Sequence, residues 1–238
     1  MSTPFQRDEL AAFAETQRGR FEKLLREFVE IPSVSMDPDH KSDMSRMAEK
    51  AAATLTEFGF ASKILPTPGQ SLIYGERIVD PEATTVMIYN HMDVQPGGDP
   101  SEWRTDPFVF TQSGETYYGR GTTDDKGPGL TALFAAAYAV SHGARVNVKF
   151  LWELEEEIGS PNFKEGIKSA AEALKCDFVV VSDTIWVSRD RPAAPAGLRG
   201  LQAMRLVLET GQTDQHSGVC GGAARNPISG MASLLAKL

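Results

Sequence analysis

The chain has 238 residues and a formal charge of −8 at pH 7, from 24 Lys and Arg against 32 Asp and Glu. This acidic excess argues against a nucleic-acid-binding protein, because phosphate contacts require clustered basic side chains. Hydrophobic residues make up 41% of the chain, which is enough for a folded core and excludes a wholly disordered protein. No apolar run reaches the ~18 residues of a membrane span, so no membrane segment is expected.

The cysteines and the first residues bear on the expected compartment. Cys176 and Cys220 lie far apart and lack the spacing of a metal site, so a disulfide framework is not expected. A secretory signal is not expected either, since Arg7, Asp8 and Glu9 stand where such a signal would be apolar. A reducing, cytoplasmic location fits both observations.

The spacing of apolar residues predicts an alternation of helices and strands. Helices are predicted over residues 8–30, 43–58, 127–141, 162–175 and 227–238, and strands over residues 60–65, 71–76, 85–89, 146–152, 177–181 and 201–208. From residue 85 onwards strands and helices alternate, and the strands are mostly apolar. This pattern is typical of an α/β fold with a mostly parallel sheet sandwiched by helices. A hinge is predicted at Arg189–Pro195.

Polar and mostly acidic residues follow the carboxyl ends of the predicted parallel strands. They are His91 and Asp93, then Glu155–Glu157, then Ser182–Asp183, with Asp124–Asp125 in the loop before a helix. Ligands of such sheets bind beyond these strand ends. Carboxylates brought this close would repel one another unless cations held them. The sequence therefore predicts a metal site, with two divalent ions sharing a carboxylate.

Local spacing suggests which side chains bind metal and which support a ligand or carry a proton. His91 and Asp93 are two residues apart on an extended segment, so the carboxylate can support the imidazole. Glu156 and Glu157 would point apart on extended backbone, so one can bind metal while the other carries a proton. The alternatives are a satisfied His–Asp pair, a solvated acidic run, a helix cap at Asp124–Asp125 and a turn residue at Asp183. Their coincidence at one sheet edge favours the metal site.

These residues stand in motifs that resemble the M20 metallopeptidase family, which includes carnosinase-like dipeptidases, carboxypeptidase G2, aminoacylase and succinyl-diaminopimelate desuccinylase. The motifs are His91–Pro96, Trp103–Phe108, Gly119–Gly127, Glu156–Ser160 and Ser182–Asp183, while Gly197–Gly200 and Asp214–Val219 look most like the carnosinase-type branch. The resemblance implies a zinc-peptidase-like catalytic domain, incomplete here, over residues 1–197. It also implies the start of an α+β lid and dimerisation domain over residues 198–238.

The resemblance further implies two divalent metal ions. His91, Asp124 and Asp183 would hold one ion, and Asp124 would bridge to a second ion bound also by Glu157. Zinc is the family's usual occupant, and manganese or cobalt also suits carboxylate-rich ligation with one histidine.

The implied reaction is hydrolysis of a peptide bond in dipeptides or short peptides by a metal-activated water. Glu156 would be the general base, and Asp93 would support His91. His216 would reach the active site of the partner subunit in a homodimer and help to bind the substrate oxyanion. From the residues alone, His216 is instead expected to be a polar loop residue.

Three interpretations of the chain's function are compatible with the sequence. Family members are expected to continue through the lid and supply a late histidine ligand, so the site in this chain is expected to be one ligand short. The chain is then an amino-terminal portion of a dipeptidase, a truncated non-catalytic metal-binding or dimerising fragment, or part of a different N-acyl-amino-acid amidohydrolase. A two-metal phosphoesterase is disfavoured by the Glu156–Glu157 pair and by His216–Gly218.

Overall fold

The computed structural model describes residues 6–188 and 190–237. The chain divides into two compact units, Met1–Ala193 and Ala194–Leu238. The division falls within the predicted hinge, of which Arg189 lies outside the described residues. Unit 1 contains α1 (Arg7–Val29), α2 (Lys41–Glu57), β1 (Ala61–Leu65), β2 (Leu72–Arg77), β3 (Thr85–His91), β4 (Thr111–Ser113), β5 (Thr116–Tyr118), α3 (Lys126–Ser141), β6 (Asn147–Glu153), α4 (Phe163–Ser169) and β7 (Phe178–Val181), with 3-10 turns at Pro38–His40, Pro100–Glu102 and Glu156–Ile158. Unit 2 contains α5 (Ser217–Cys220) and α6 (Pro227–Leu235).

Five strands form one sheet in the order β1-β2-β6-β3-β7. β3 pairs in parallel with both β6 and β7, while β1 and β2 are antiparallel to their neighbours. The short connection between β1 and β2 permits only an antiparallel pair, whereas the parallel strands are joined by helical crossovers. The α/β fold is confirmed, with the parallel strands gathered at one side of the sheet. His91 lies opposite Glu153, so β3 and β6 end at the same edge.

Helices cover both faces of the sheet. All seven residues of β6 are buried, and its hydrophobic side chains divide between two clusters, one on each face. Phe150 and Trp152 pack with residues of α1, α2 and α3, while Leu151 packs with Leu174 and the α4 residue Phe163. The predicted sandwich follows from this alternation, because successive side chains of a strand point to opposite faces. No helix in the described ranges combines the length and apolar content needed to span a membrane.

Most predicted helices and strands form within a few residues of their expected bounds, but two expectations are wrong and one small sheet was missed. Residues 201–208 form no strand, because no neighbouring strand in the described part of unit 2 completes a ladder with them. The helix predicted to residue 175 ends at Ser169, and Lys149 Nζ binds the carbonyls of Ala173 and Lys175 in the turns that follow. The two-stranded sheet of β4 and β5 was not expected, since both strands are short and polar.

Candidate metal centre

The predicted acidic cluster forms at the carboxyl edge of the parallel strands. His91 is the last residue of β3, and the Glu156–Ile158 turn follows β6. Asp183 follows β7 by two residues, and Asp124 lies just before α3. His91 Nε2 lies 2.8 Å from Asp124 Oδ1, 3.8 Å from Asp183 Oδ2 and 4.0 Å from Glu156 Oε2. The topology thus brings together side chains that are up to 92 positions apart in sequence.

His91 is fully buried and contacts acidic groups on both sides of its ring. Its Nδ1 lies 3.0 Å from the carbonyl oxygen of Asp93 and 3.4 Å from Asp93 Oδ1. Because a carbonyl oxygen can only accept, Nδ1 carries the proton and donates. Burial lowers the pKa of His91, but Asp93 and then Asp125 and Asp124 raise it, with a net value of about 10. The other ring nitrogen, Nε2, faces the carboxylates of Asp124, Asp183 and Glu156.

Two groups of ligand-type atoms share His91. One consists of His91, Asp124 and Glu157, and the other of His91, Asp125 and Asp183. Within each group the potential ligand atoms lie within 4.8 Å of one another. An imidazole nitrogen with carboxylate oxygens is a donor set for zinc, manganese or cobalt.

Asp93 links the imidazole to the Glu156–Glu157 turn. Its buried carboxylate accepts the backbone N–H of Glu156 at 3.2 Å on Oδ1 and that of Glu157 at 3.1 Å on Oδ2. Two successive N–H groups aimed at one carboxylate require a turn, so the expectation that these glutamates lie on extended backbone is wrong. The closest contact of Asp93 with the imidazole comes from its main-chain oxygen, not its carboxylate.

The two glutamates nevertheless differ in their surroundings. Gln95 Nε2 donates to Glu157 Oε2 at 2.8 Å and to the Glu157 carbonyl at 3.2 Å, so Glu157 is held in place. The Glu156 side chain is 40% exposed, and its carboxylate lies 4.0 Å from the His91 imidazole. Burial raises the pKa of both carboxyls above its ordinary range, with nearby carboxylates adding to the effect.

Asp125 is a residue of the site that the sequence alone did not distinguish from the adjacent Asp124. It occupies the N-cap position of α3 but makes no capping bond with its side chain. Its Oδ2 accepts Asn90 Nδ2 at 2.8 Å and the His91 N–H at 3.1 Å. Its Oδ1 is buried and has no hydrogen-bond partner among the described residues. Burial raises the pKa of Asp125 to about 8.

These features fit a divalent cation. A buried carboxylate oxygen without a partner is costly, and a bound cation would satisfy it. Burial also raises the pKa of Asp183, and positive charge would offset the repulsion among the clustered carboxylates. The residues present therefore suit the ions that the resemblance implies.

The remaining histidines are engaged elsewhere. His216 is the N-cap of α5 in unit 2, where its Nδ1 accepts the Gly218 N–H at 3.0 Å. His40 Nδ1 lies 2.9 Å from Asp43 Oδ2, and His142 Nδ1 lies 2.9 Å from the Tyr138 carbonyl. None of the three belongs to a potential ligand group in the described part of the chain.

A cavity of about 700 Å³ opens along the segment that follows Gln95. Its lining includes Pro96, Trp103, Phe108 and His40, but none of the predicted site residues. Its volume lies in the range of small-molecule pockets. The clustered charges, rather than this cavity, mark the candidate site.

Comparison with known proteins agrees with this geometry. Residues 87–197 match the family described as Peptidase family M20/M25/M40. Over 97% of its length the chain is 33% identical to the human Beta-Ala-His dipeptidase and 32% identical to the Cys-Gly metallodipeptidase dug1 of Schizosaccharomyces pombe. It spans about half the length of these relatives, 49% and 52% respectively. The crystal structure of human carnosine dipeptidase 1 is similar with a TM-score of 0.71 at 30% identity, covering 97% of this chain and 52% of that chain.

Proposed function

Because this chain belongs to the M20 peptidase family, we propose that it carries the metal centre of an enzyme that hydrolyses the peptide bond of dipeptides or short peptides. The observation that carries the proposal is the cluster of one imidazole and several carboxylates at one sheet edge, with Asp125 Oδ1 buried and unpartnered in the described structure. The relatives named as dipeptidases support a peptide as the substrate.

The proposed ligands follow the family resemblance and differ in part from the two groups at the cluster, where Asp125 rather than Asp124 lies with His91 and Asp183. His91, Asp124 and Asp183 would hold one ion, and Asp124 and Glu157 would hold the second, with zinc as the proposed metal. Asp125 lies close enough to contribute to the first site. Ions held there supply an acidic water and a Lewis acid for the substrate carbonyl.

Glu156 is proposed as the general base. Its carboxylate is partly exposed, is not held by an amide as Glu157 is, and lies 4.0 Å from His91 Nε2. A raised pKa suits a group that accepts a proton from water and returns it to the leaving amine. Asp93 fixes the turn that carries Glu156. His216 is proposed to bind the substrate oxyanion across a dimer interface.

The domain roles and the surroundings of the protein are also proposals. Residues 1–197 would be the first segment of the catalytic domain, and residues 198–238 the beginning of a lid and dimerisation domain. Exposed apolar side chains in unit 2, such as Leu201 and Met204, support an interface between subunits. Cys176 and Cys220 are both free thiols, which supports a cytoplasmic location.

The test combines ion binding with hydrolysis. The purified chain is loaded with zinc, manganese or cobalt, its metal content is measured, and a dipeptide panel that includes β-alanyl-histidine and cysteinyl-glycine is assayed. We expect bound ions that are lost in Asp124→Asn and kept in Asp39→Asn, an exposed aspartate in another part of unit 1. Hydrolysis that depends on Asp124 supports the peptidase. Bound ions without hydrolysis favour a non-catalytic metal-binding fragment, and no ion binding contradicts the proposal.

A further inference from the structure

Two side-chain amides, neither of them a candidate ligand, each hold a different part of the acidic cluster. Asn90 is fully buried, and its Nδ2 donates to Asp125 Oδ2 at 2.8 Å and to the Ser182 carbonyl at 3.1 Å. Gln95 donates through Nε2 to the carboxylate and the carbonyl of Glu157. Each amide thus donates both of its N–H groups to the cluster. Asn90 contacts Asp125 and Ser182, the neighbour of Asp183, and Gln95 contacts Glu157 twice.

Asn90 ties together three elements of the first group. Asp125, which it holds, also accepts the backbone N–H of His91 at 3.1 Å. Ser182, which it holds from the other side, is joined by one peptide bond to Asp183. The Asn90 side chain therefore links the end of β3 to the start of α3 and to the residue that follows β7. Reversing the amide would aim its oxygen at two acceptors, so the observed orientation is the favourable one.

Gln95 acts on the second group in the same way. It fastens the Glu157 carboxylate to the Glu157 main chain, which removes freedom from a long side chain before any ion arrives. Restricting a ligand to its binding geometry raises affinity, because less conformational entropy is lost on binding. Gln95 is only half-buried, so it can be replaced with little effect on the core.

We propose that Asn90 and Gln95 are positioning residues that set the affinities of the two ion sites separately. Asn90 serves the group of His91, Asp125 and Asp183, and Gln95 serves the group of His91, Asp124 and Glu157. The inference rests on the proposed function in one respect, namely that divalent ions bind at this sheet edge.

The test measures ion binding to the full chain by calorimetry and by the absorption spectrum of bound Co²⁺, without any assay of hydrolysis. Asn90→Ala should weaken one ion by about 10- to 100-fold and alter its cobalt spectrum, as is typical of groups that orient metal ligands. Gln95→Leu should weaken the other ion by a similar factor. If the chain binds a single ion, only one of the two variants should weaken it.

The chain offers a matched control for each variant. Gln112→Leu removes an amide that also contacts a carboxylate and a carbonyl, those of Glu22 and Gly114, away from the cluster. Asn147→Ala removes a buried amide at the opposite end of the parallel strands. Both controls should bind ions as the unchanged chain does. Should Asn90→Ala not fold, Gln95→Leu still tests whether one ion can be weakened by itself, since Glu157 belongs to only one group, and equal weakening of both ions would overturn the inference.

The outcomes separate the two proposals. If Asn90→Ala and Gln95→Leu weaken the same ion or ions equally, or leave binding unchanged, the inference is overturned while the ion sites stand. If the unchanged chain binds no divalent ion, the proposed function fails, and this inference fails with it.

Discussion

His91 Nε2 lies 2.8 Å from Asp124 Oδ1, so this contact requires a proton on Nε2 while Nδ1 donates to Asp93. The pKa of His91 is about 10, so the ring keeps both protons at neutral pH. An ion that binds Nε2 must displace one of them, and we predict that ion binding releases protons.

The sign of the pH effect follows from this competition. Lowering the pH by one unit raises the proton concentration tenfold, so Kd should rise about tenfold for each proton displaced. Affinity for Mn²⁺ should therefore increase from pH 6 to pH 8. Calorimetry in two buffers of different ionisation enthalpy counts the released protons. His142→Gln, which alters a histidine outside the cluster, should release as many, and binding that does not depend on pH would contradict the prediction.

Replacing Glu156 by Gln should separate ion binding from hydrolysis. The amide keeps the size of the side chain but cannot accept a proton from water, so turnover should fall by about 10²- to 10⁴-fold. Metal content should stay nearly unchanged, because Glu156 lies outside both ligand groups. Turnover and metal content are measured on the same metal-loaded preparation. Glu165→Gln, an exposed change on α4, serves as the control, and near-normal turnover in Glu156→Gln would refute the assignment.

Asp93→Asn should weaken ion binding although Asp93 is not a proposed ligand. The carboxylate accepts two N–H groups, one on each oxygen, and an amide can accept only one while its NH₂ group faces the other. The Glu156–Ile158 turn should shift, and ion affinity should fall by about 10- to 100-fold. Calorimetry and thermal unfolding are compared with those of Asp39→Asn. Unchanged affinity would show that Asp93 does not position the site.

The alternation of strands and helices was predictable because burial dictates it locally. Every position of β6 is buried, so its sequence between Asn147 and Glu153 reads as a strand covered on both faces. The segment at residues 201–208 has a similar local pattern, but a strand also requires a neighbour, which local sequence does not supply. The β4–β5 pair lies at the other extreme, because its short polar strands give no hydrophobic signal.

Chain order alone predicts that the site residues gather at the carboxyl ends of the strands, but it does not predict their contacts there. Sequence cannot say which of Asp124 and Asp125 is buried, because adjacent identical residues differ only through the backbone of their turn. Gln95 lies within the His91–Pro96 motif, but sequence does not show which groups its amide or that of Asn90 contacts. Lys126 binds main-chain oxygens more than 90 positions earlier in the chain, a contact that only the fold creates.

His216 caps α5 in the structure and is proposed to bind the substrate oxyanion. Two variants can separate these roles. His216→Asn keeps a side-chain acceptor at the N-cap of α5, where Asn is a favoured residue, but removes the imidazole. If the imidazole binds the oxyanion, turnover should fall by about 10²- to 10³-fold while the thermal stability stays the same. His216→Ala should lose both. Full turnover in His216→Asn would leave capping as the role of this residue.

Lys126→Met should destabilise unit 1. Lys126 is fully buried, and its Nζ donates to the carbonyls of Phe28 and Ile31 at 2.9 and 2.8 Å, around the end of α1. Methionine fills the space of the stem but removes both hydrogen bonds, and the carbonyls of Phe28 and Ile31 keep the backbone N–H groups of Ile31 and Ser33. A hydrogen bond contributes about 0.5–1.5 kcal/mol, so we expect a loss of about 1–3 kcal/mol for the two.

The same variant should show a distinct dependence on pH. Burial lowers the pKa of Lys126 to about 7 in the folded protein, against 10.5 for the ordinary amine. Between these values the unfolded chain binds a proton that the folded protein does not, so this group makes the free energy of unfolding rise with pH. Lys126→Met lacks this rise, and its deficit should grow from pH 7 to pH 9. Urea unfolding with EDTA present measures it without a contribution from bound ions. Lys164→Met, an exposed change, should show little loss at either pH, and a Lys126→Met deficit that shrinks as pH rises would contradict the argument.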